Sequence, residues 1–352
     1  MKVGILTFHR AHNYGAVLQC YALQKVLKNL GHEVQVMDYR QPYIEKHYAV
    51  FSWQYLFFLL MRLHIKSFFY YLKNVTTREK STLQYRYFRD CYLQVTKPCR
   101  SHTIPAFDCY IIGSDQVWSL HCTQRMDKVY WGQFKHPDAS KIIGYGISVT
   151  QTSLKQIGVK IIRRYLSAFS ALSFREKAVQ EQIACMTKRK GELVLDPTLL
   201  LPANTWNELK GSEKEACVVV YLFKYRDNIK MQDIDGRIEQ LAQSLDCDVI
   251  DLSDNTVAPE NFVAYFRSAR YVITNSFHGV AFSLLFEKPL YAIRCHDALD
   301  ERYVNLLTLV GGEKMLVDAD FSPIPQPVDY VPIREALAKW RKHSIDYLKA
   351  TI

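Results

Sequence analysis

An α/β protein of two Rossmann-like lobes in series, with a ligand cleft between them and a helix at the C-terminal end, is predicted by three features of this 352-residue sequence. The chain opens on a β-α-β pattern, which calls for a parallel sheet covered by helices. The same alternation restarts after Asp196-Pro197 and the polar stretch 204–215. The length also exceeds what one core commonly serves, since single cores stop growing at roughly 250–300 residues. The expected division is an N-terminal lobe over 1–200, a C-terminal lobe over 201–330 and a final helix over 331–352.

The elements follow in order. Lys2–Thr7 is an apolar run suited to a first strand. Ala16, Cys20, Leu23, Leu27 and Leu30 recur at helical spacing, and Gly31 supplies a C-terminal cap. Val34 and Val36 alternate in a second strand. Further strands are expected to end at Ile112, Ile147, Phe174 and Leu195. In the second half come a strand over Cys217–Leu222, a helix carrying Ile234, Ile238, Leu241 and Leu245, and a strand over Asp248–Leu252. A helix over Glu260–Ser268, a strand over Tyr271–Thr274, a helix containing Ala281, Leu284 and Leu285, and a strand over Leu290–Ile293 complete the alternation. Ile333, Leu337, Trp340 and Leu348 mark the last helix.

Residues 50–72 are unusually aromatic. Only the thirteen residues from Ala49 to Met61 run without a charge, and a spanning helix needs about 20. The segment is therefore read as a helix packed on the N-terminal lobe or, in the sharper reading, an interfacial helix making peripheral membrane contact near lipid-linked substrates.

Composition narrows the function. The chain is 49% hydrophobic and 23% charged, which fits a soluble globular protein and not a disordered one. Its nine cysteines are odd in number and never spaced C-x-x-C, so neither a disulfide framework nor a zinc site is expected, and no metal is called for. The first residues run straight into a strand pattern without a secretory signal, so a cytoplasmic location is expected, extending to the inner face of the membrane. The formal charge of +10 invites a nucleic-acid reading, but no recognisable binding module carries it. The basic excess concentrates between Arg62 and Arg100, which suits an anionic membrane surface or a polyanionic substrate.

Four short stretches sit at strand-to-helix crossings, where α/β proteins bind ligands. Asn13-Tyr14-Gly15 ends a polar excursion holding His9, Arg10 and His12, and it has no G-x-G-x-x-G dinucleotide fingerprint. Gly113-Ser114-Asp115-Gln116-Val117-Trp118 offers an aspartate that caps a helix or acts on substrate. Its Gln116 and Trp118 would suit a sugar's hydroxyls and ring face. In Ser173-Phe174-Arg175-Glu176, Arg175 is placed to fork onto a carboxylate or phosphate, or else to pair with an acid such as Glu176. In Asn275-Ser276-Phe277-His278-Gly279, Asn275 or Ser276 would cap a helix whose first turn contains His278. Unpaired N–H groups and the positive dipole end favour an anion there, and Gly279 would permit its close approach.

Those four stretches, together with Leu195-Asp196-Pro197-Thr198-Leu199-Leu200, occur in an order and spacing that resemble the polysaccharide pyruvyl transferase family. The resemblance spans roughly residues 2–295. It implies a fold similar to the two-lobed GT-B glycosyltransferases, and transfer of the pyruvyl group of phosphoenolpyruvate onto two hydroxyls of a cell-surface polysaccharide sugar or its precursor, forming a cyclic ketal with release of phosphate. No cofactor is implied beyond phosphoenolpyruvate as donor substrate. By the same resemblance His278 holds the position of the catalytic histidine and Arg175 that of a donor-binding arginine. Ser276, Phe277 and Gly279 would complete the donor side, and Asn13, Tyr14, Gly15, Gln116 and Trp118 the acceptor side. Some members carry arginine where this chain has Ser276, and Lys224 and Arg294 are candidates for the missing cation.

Ketal formation from an enol phosphate needs a general acid to protonate the methylene carbon. A helix dipole lowers a histidine's pKa by ~0.3–1 kcal/mol, whereas a phosphate about 4 Å away favours the proton by about 4 kcal/mol per unit charge at an effective dielectric near 20. The expectation is a His278 that is neutral when the site is empty and protonated once the donor is bound, with Asp115 as base for a sugar hydroxyl. Two rival readings remain open: a nucleotide-sugar glycosyltransferase of the same architecture, and a non-catalytic glycan- or polyanion-binding protein.

Overall fold

The computed structural model describes residues 1–51, 57, 61, 64, 75–212, 217–223 and 231–352. Two all-parallel sheets organise the chain. The first has the order β2-β1-β3-β4-β5-β6, built from β1 (Lys2–Leu6), β2 (Glu33–Val36), β3 (Cys109–Gly113), β4 (Lys141–Ile147), β5 (Ala171–Phe174) and β6 (Glu192–Leu193). The second runs β11-β10-β9-β7-β8, from β7 (Val218–Tyr221), β8 (Val249–Asp251), β9 (Tyr271–Thr274), β10 (Leu290–Ile293) and β11 (Leu316–Val317). Parallel strands buried on both faces need helical crossovers on each side, and these crossovers are what the sequence periodicity had marked.

The first helix, Tyr14–Asn29, begins at Asn13, whose Oδ1 accepts the Ala16 N–H at 3.1 Å, and ends before Gly31 at φ +88°. β2 alternates as its two valines predict, with Val34 and Val36 inward and Glu33 and Gln35 outward. The strand expected to end at Leu195 stops at Leu193. Beyond it Asp196 accepts from the Thr198 N–H and starts a short 3₁₀ turn, Pro197–Leu199, which pulls the chain off the sheet edge. The aromatic segment 50–72 lies almost wholly outside the described residues, as does Lys224. Among the described residues no helix is long and apolar enough to cross a membrane.

One hydrophobic core runs through both sheets. It joins Val3, Tyr14 and Leu23 to Trp206, Phe262, Phe282 and Leu348 without a break. Separate cores cover the outer faces of the two sheets. The final helix, Val331–Thr351, returns to the first sheet: the Leu195 N–H donates to Ser344 Oγ at 2.9 Å and Arg341 Nε to the Leu199 carbonyl at 2.8 Å. The two halves are therefore fastened from behind, with the C-terminal ends of their strands meeting at one place.

Candidate active site

Each candidate group stands just past a strand. β3 leads into Ser114 and Asp115, β5 into Arg175 and Glu176, β6 into Asp196, and β9 into Asn275, Ser276 and the helix Phe277–Leu285 that carries His278 in its first turn. Ser276 occupies the N-cap position but its side chain makes no cap bond, so N–H groups at the helix start remain available. Asn275 instead braces the second sheet, its Oδ1 accepting the Phe223 N–H at 2.7 Å.

His278 is 7% exposed and its Nε2 has no hydrogen-bond partner among the described residues. The nearest carboxylate oxygen is Asp196 Oδ2 at 3.8 Å. Burial pushes the imidazole down to about 4; Asp196 opposes this and Arg175 reinforces it. Burial is the largest influence on this ring and favours its neutral form.

Asp196 organises the floor of the site. Its Oδ1 accepts from the Thr198 N–H at 2.9 Å and hydroxyl at 2.7 Å, and its Oδ2 accepts from Arg175 Nη1 at 2.5 Å. Ser114 Oγ lies 3.2 Å from the same oxygen. Burial alone would raise this carboxyl's pKa, but Arg175, His278 and Thr198 together hold it below the ordinary value. The buried pair orients Arg175 without exhausting it. The guanidinium lies 4.7 Å over the Phe277 ring, and its Nε and Nη2 have no hydrogen-bond partner among the described residues.

Glu176 is buried as well. Its Oε1 accepts from Ser148 Oγ at 2.8 Å and stands 3.9 Å from Arg175 Nε, while Oε2 has no partner among the described residues. Burial raises its pKa against the pull of Arg175. Asp115 sits at φ +64° with Oδ1 accepting the Gln116 N–H at 2.8 Å, and its charge acts on both His278 and Arg175. Arg302, half-buried on the helix Asp300–Val310, shares this field, and its sealed Nε has no hydrogen-bond partner among the described residues.

The first helix meets the histidine through Gly15, packed against the imidazole so closely that no side chain fits. Several other expected ligand residues serve packing or caps instead. Tyr14 is fully buried between the sheets, stacked 4.3 Å from Phe262, with its hydroxyl accepting the Val257 N–H, so it offers nothing to an acceptor. Trp118 is also core: it stacks on Trp131 at 4.0 Å and donates Nε1–H to the Tyr130 carbonyl, because the turn after Asp115 points it under the sheet. Asn13 spends its side-chain oxygen on the helix cap, whereas Gln116 stays half-buried beside Cys122. Gly279 is small because Thr274 packs on it: a Cβ there would stand 2.2 Å from Thr274 Oγ1. Arg294 is exposed beyond β10.

Local sequence assigns no ligand role to Asp196, Glu176 or Arg302. Asp196 stands inside one of the motif stretches, and Glu176 reads only as a partner for Arg175. Arg302 has no motif around it, and only its place in the helix after β10 hinted at a site.

The sequence model for polysaccharide pyruvyl transferases matches residues 13–297. Among curated proteins no sequence matches. Solved structures that align include the UDP-GlcNAc 2-epimerase of Neisseria meningitidis bound to UDP-GlcNAc, at 12% identity over 98% of this chain and 93% of that one with a TM-score of 0.48. The UDP-GlcNAc 2-epimerase of Methanocaldococcus jannaschii aligns at 8% identity over 99% and 100% with a TM-score of 0.46. The glycosyltransferase SsfS6 of Streptomyces sp. SF2575 aligns at 12% identity over 99% of each chain with a TM-score of 0.44. At such identities and scores these likenesses carry no argument about chemistry, and the architecture rests on the two parallel sheets themselves. The family match covers most of the chain and all five motif stretches of the site, and on it the chain belongs to the polysaccharide pyruvyl transferase family.

Proposed function

We propose that this protein transfers the pyruvyl group of phosphoenolpyruvate to two hydroxyls of a sugar in a cell-surface polysaccharide or its precursor, forming a pyruvate ketal and releasing phosphate. The observation that carries the reading is a buried imidazole with a free Nε2 beside a buried guanidinium with two free N–H-bearing nitrogens, in a member of this family.

In this scheme Arg175 binds the donor's carboxylate or phosphate, and the donor's charge raises the His278 pKa so that Nε2 carries a proton. That proton goes to the methylene carbon, which becomes the methyl group as the central carbon gains oxocarbenium character. One sugar hydroxyl adds, the bond to the phosphate oxygen breaks, and the second hydroxyl closes the ring. The attacking hydroxyl's proton passes by way of Asp115 to the departing phosphate, and the second hydroxyl's proton returns to His278. Asp115 serves as base for the attacking hydroxyl. N–H groups at the start of the helix Phe277–Leu285 and Arg175 stabilise the departing charge. Cytoplasmic location and a lipid-linked acceptor belong to the same proposal.

The test is incubation with phosphoenolpyruvate, or with nucleotide-sugars, and a panel of acceptors. Acceptor-dependent phosphate release supports pyruvyl transfer. Nucleotide release transfers the site to glycosyl chemistry, and neither product leaves a binding protein.

A further inference from the structure

We infer that Arg302 is a second anion-binding guanidinium of this site, placed to share with Arg175 the phosphate or carboxylate group of the bound donor. This rests on the reading of the site given above.

The helix Asp300–Val310 is held firmly at both edges of the site. Asp300 Oδ2 accepts the N–H groups of Cys295 at 2.9 Å and His296 at 2.8 Å, tying the helix start to the end of β10. Glu301 Oε1 accepts from Gln151 Nε2 at 3.1 Å, and Asn305 Nδ2 donates to the Arg175 carbonyl at 3.0 Å. Residues on either side of Arg302 thus dock on the first half of the chain, one of them on Arg175 itself. This brings two arginines to one buried place.

Neither arginine has every N–H matched among the described residues, although Arg175 Nη1 donates to Asp196. Arg302 makes no ion pair with a described carboxylate, and its Nε is sealed from water without an acceptor. Arg175 has two nitrogens in the same condition, and His278 Nε2 is a fourth unpartnered polar atom. Glu176 faces both guanidinium groups, yet its oxygens reach Ser148 and, at 3.9 Å, Arg175 Nε. Buried polar groups in folded proteins nearly always have partners. Like charges brought together with free N–H groups call for an anion with several acceptor oxygens, and planar guanidinium forks suit phosphate and carboxylate alike. Arg175 already lowers the Arg302 pKa, with burial as the larger cause, so the cation is held at a disadvantage that an anion would relieve.

The experiment titrates wild type, Arg302→Gln and Arg302→Lys with inorganic phosphate and separately with phosphoenolpyruvate, and records thermal unfolding of each unliganded protein. Arg302→Gln should weaken phosphate binding roughly 10- to 100-fold, with Arg302→Lys losing less, while the unliganded Tm is unchanged or higher because a repelled charge has gone. Unchanged phosphate affinity in Arg302→Gln overturns the inference, as does a wild type that binds no phosphate. Loss of phosphate affinity in Arg302→Gln, with a wild type that ignores phosphoenolpyruvate, keeps the anion role of Arg302 and removes phosphoenolpyruvate as the donor.

Discussion

A Cβ on Gly15 would stand 1.9 Å from Nδ1 of His278. One residue belongs to the first helix after β1 and the other to the helix after β9, so the starts of two helices from different sheets close on one imidazole. The glycine fixes the ring from the Nδ1 side and leaves Nε2 toward Asp196.

Gly15→Ala is therefore expected to damage catalysis more than folding. The new methyl must displace the ring, and a 1 Å misplacement of a reacting group can lower rates about a hundredfold. Helix propensity gains up to about 1 kcal/mol from the same change, which offsets part of the steric cost. Turnover and thermal unfolding measured together decide it. Full turnover with a folded protein would show that ring position does not matter.

Gly279→Ala should behave in the opposite way. Its methyl would meet Thr274 Oγ1, which donates to the Tyr221 carbonyl at 2.7 Å and accepts the Ser276 N–H at 3.0 Å. Overpacking of this kind costs about 1–3 kcal/mol. Chemical denaturation should report a loss of that size, and no loss would mean that Thr274 can turn away freely.

Much of this was legible in the sequence, and the misses have physical reasons. β9 and β10 were bounded to the residue, because β-branched and aromatic runs between clear turn signals leave little freedom. His278 and Arg175 stand out in the sequence because strand-to-helix crossings concentrate ligand chemistry, and both come to lie beside Asp196. Trp118 was misread because a polar motif says which residues turn but not to which side an aromatic ring then falls. Asp196 was overlooked because Asp-Pro reads as a turn, and only the third dimension brings its second oxygen to Arg175. Arg302 lies 127 residues from Arg175 in sequence, and nothing local to either announces the other.

For Trp118 the corrected position gives its own forecast. Trp118→Phe removes the bond to the Tyr130 carbonyl and most of the stack on Trp131, so unfolding should become easier by about 1–3 kcal/mol. The acceptor KM should stay as it was. A raised KM with unchanged Tm would return the ring to the sugar site.

Asp196→Ala leaves Arg175 buried without its closest anion. Breaking one side of a buried pair typically costs 3–5 kcal/mol, and the freed guanidinium also loses its orientation. Urea unfolding should show that destabilisation, and added phosphate should restore part of it by supplying a substitute anion. Stability equal to wild type would demote the Arg175–Asp196 pair from its structural role.

The pH response of His278 tests the acid role directly. Burial pushes its pKa down to about 4 against an ordinary value of 6.5, so between those values the folded chain binds fewer protons than the unfolded one. The stabilisation from this neutral ring is fully present above 6.5 and is lost as pH falls toward 4, by about 3 kcal/mol at most. Glu176, whose pKa is raised, works with the opposite sign, so the difference between wild type and His278→Gln isolates the histidine. Phosphoenolpyruvate should then raise the His278 pKa, and by linkage its binding must take up a proton and tighten as pH falls through the bound-state value. Calorimetry in buffers of different ionisation enthalpy measures that proton, and NMR of the imidazole follows it to its site. His278→Gln should abolish the part of the uptake that belongs to this ring together with turnover. Donor saturation without proton uptake, or tighter binding at higher pH, would remove His278 as the acid recruited by the donor.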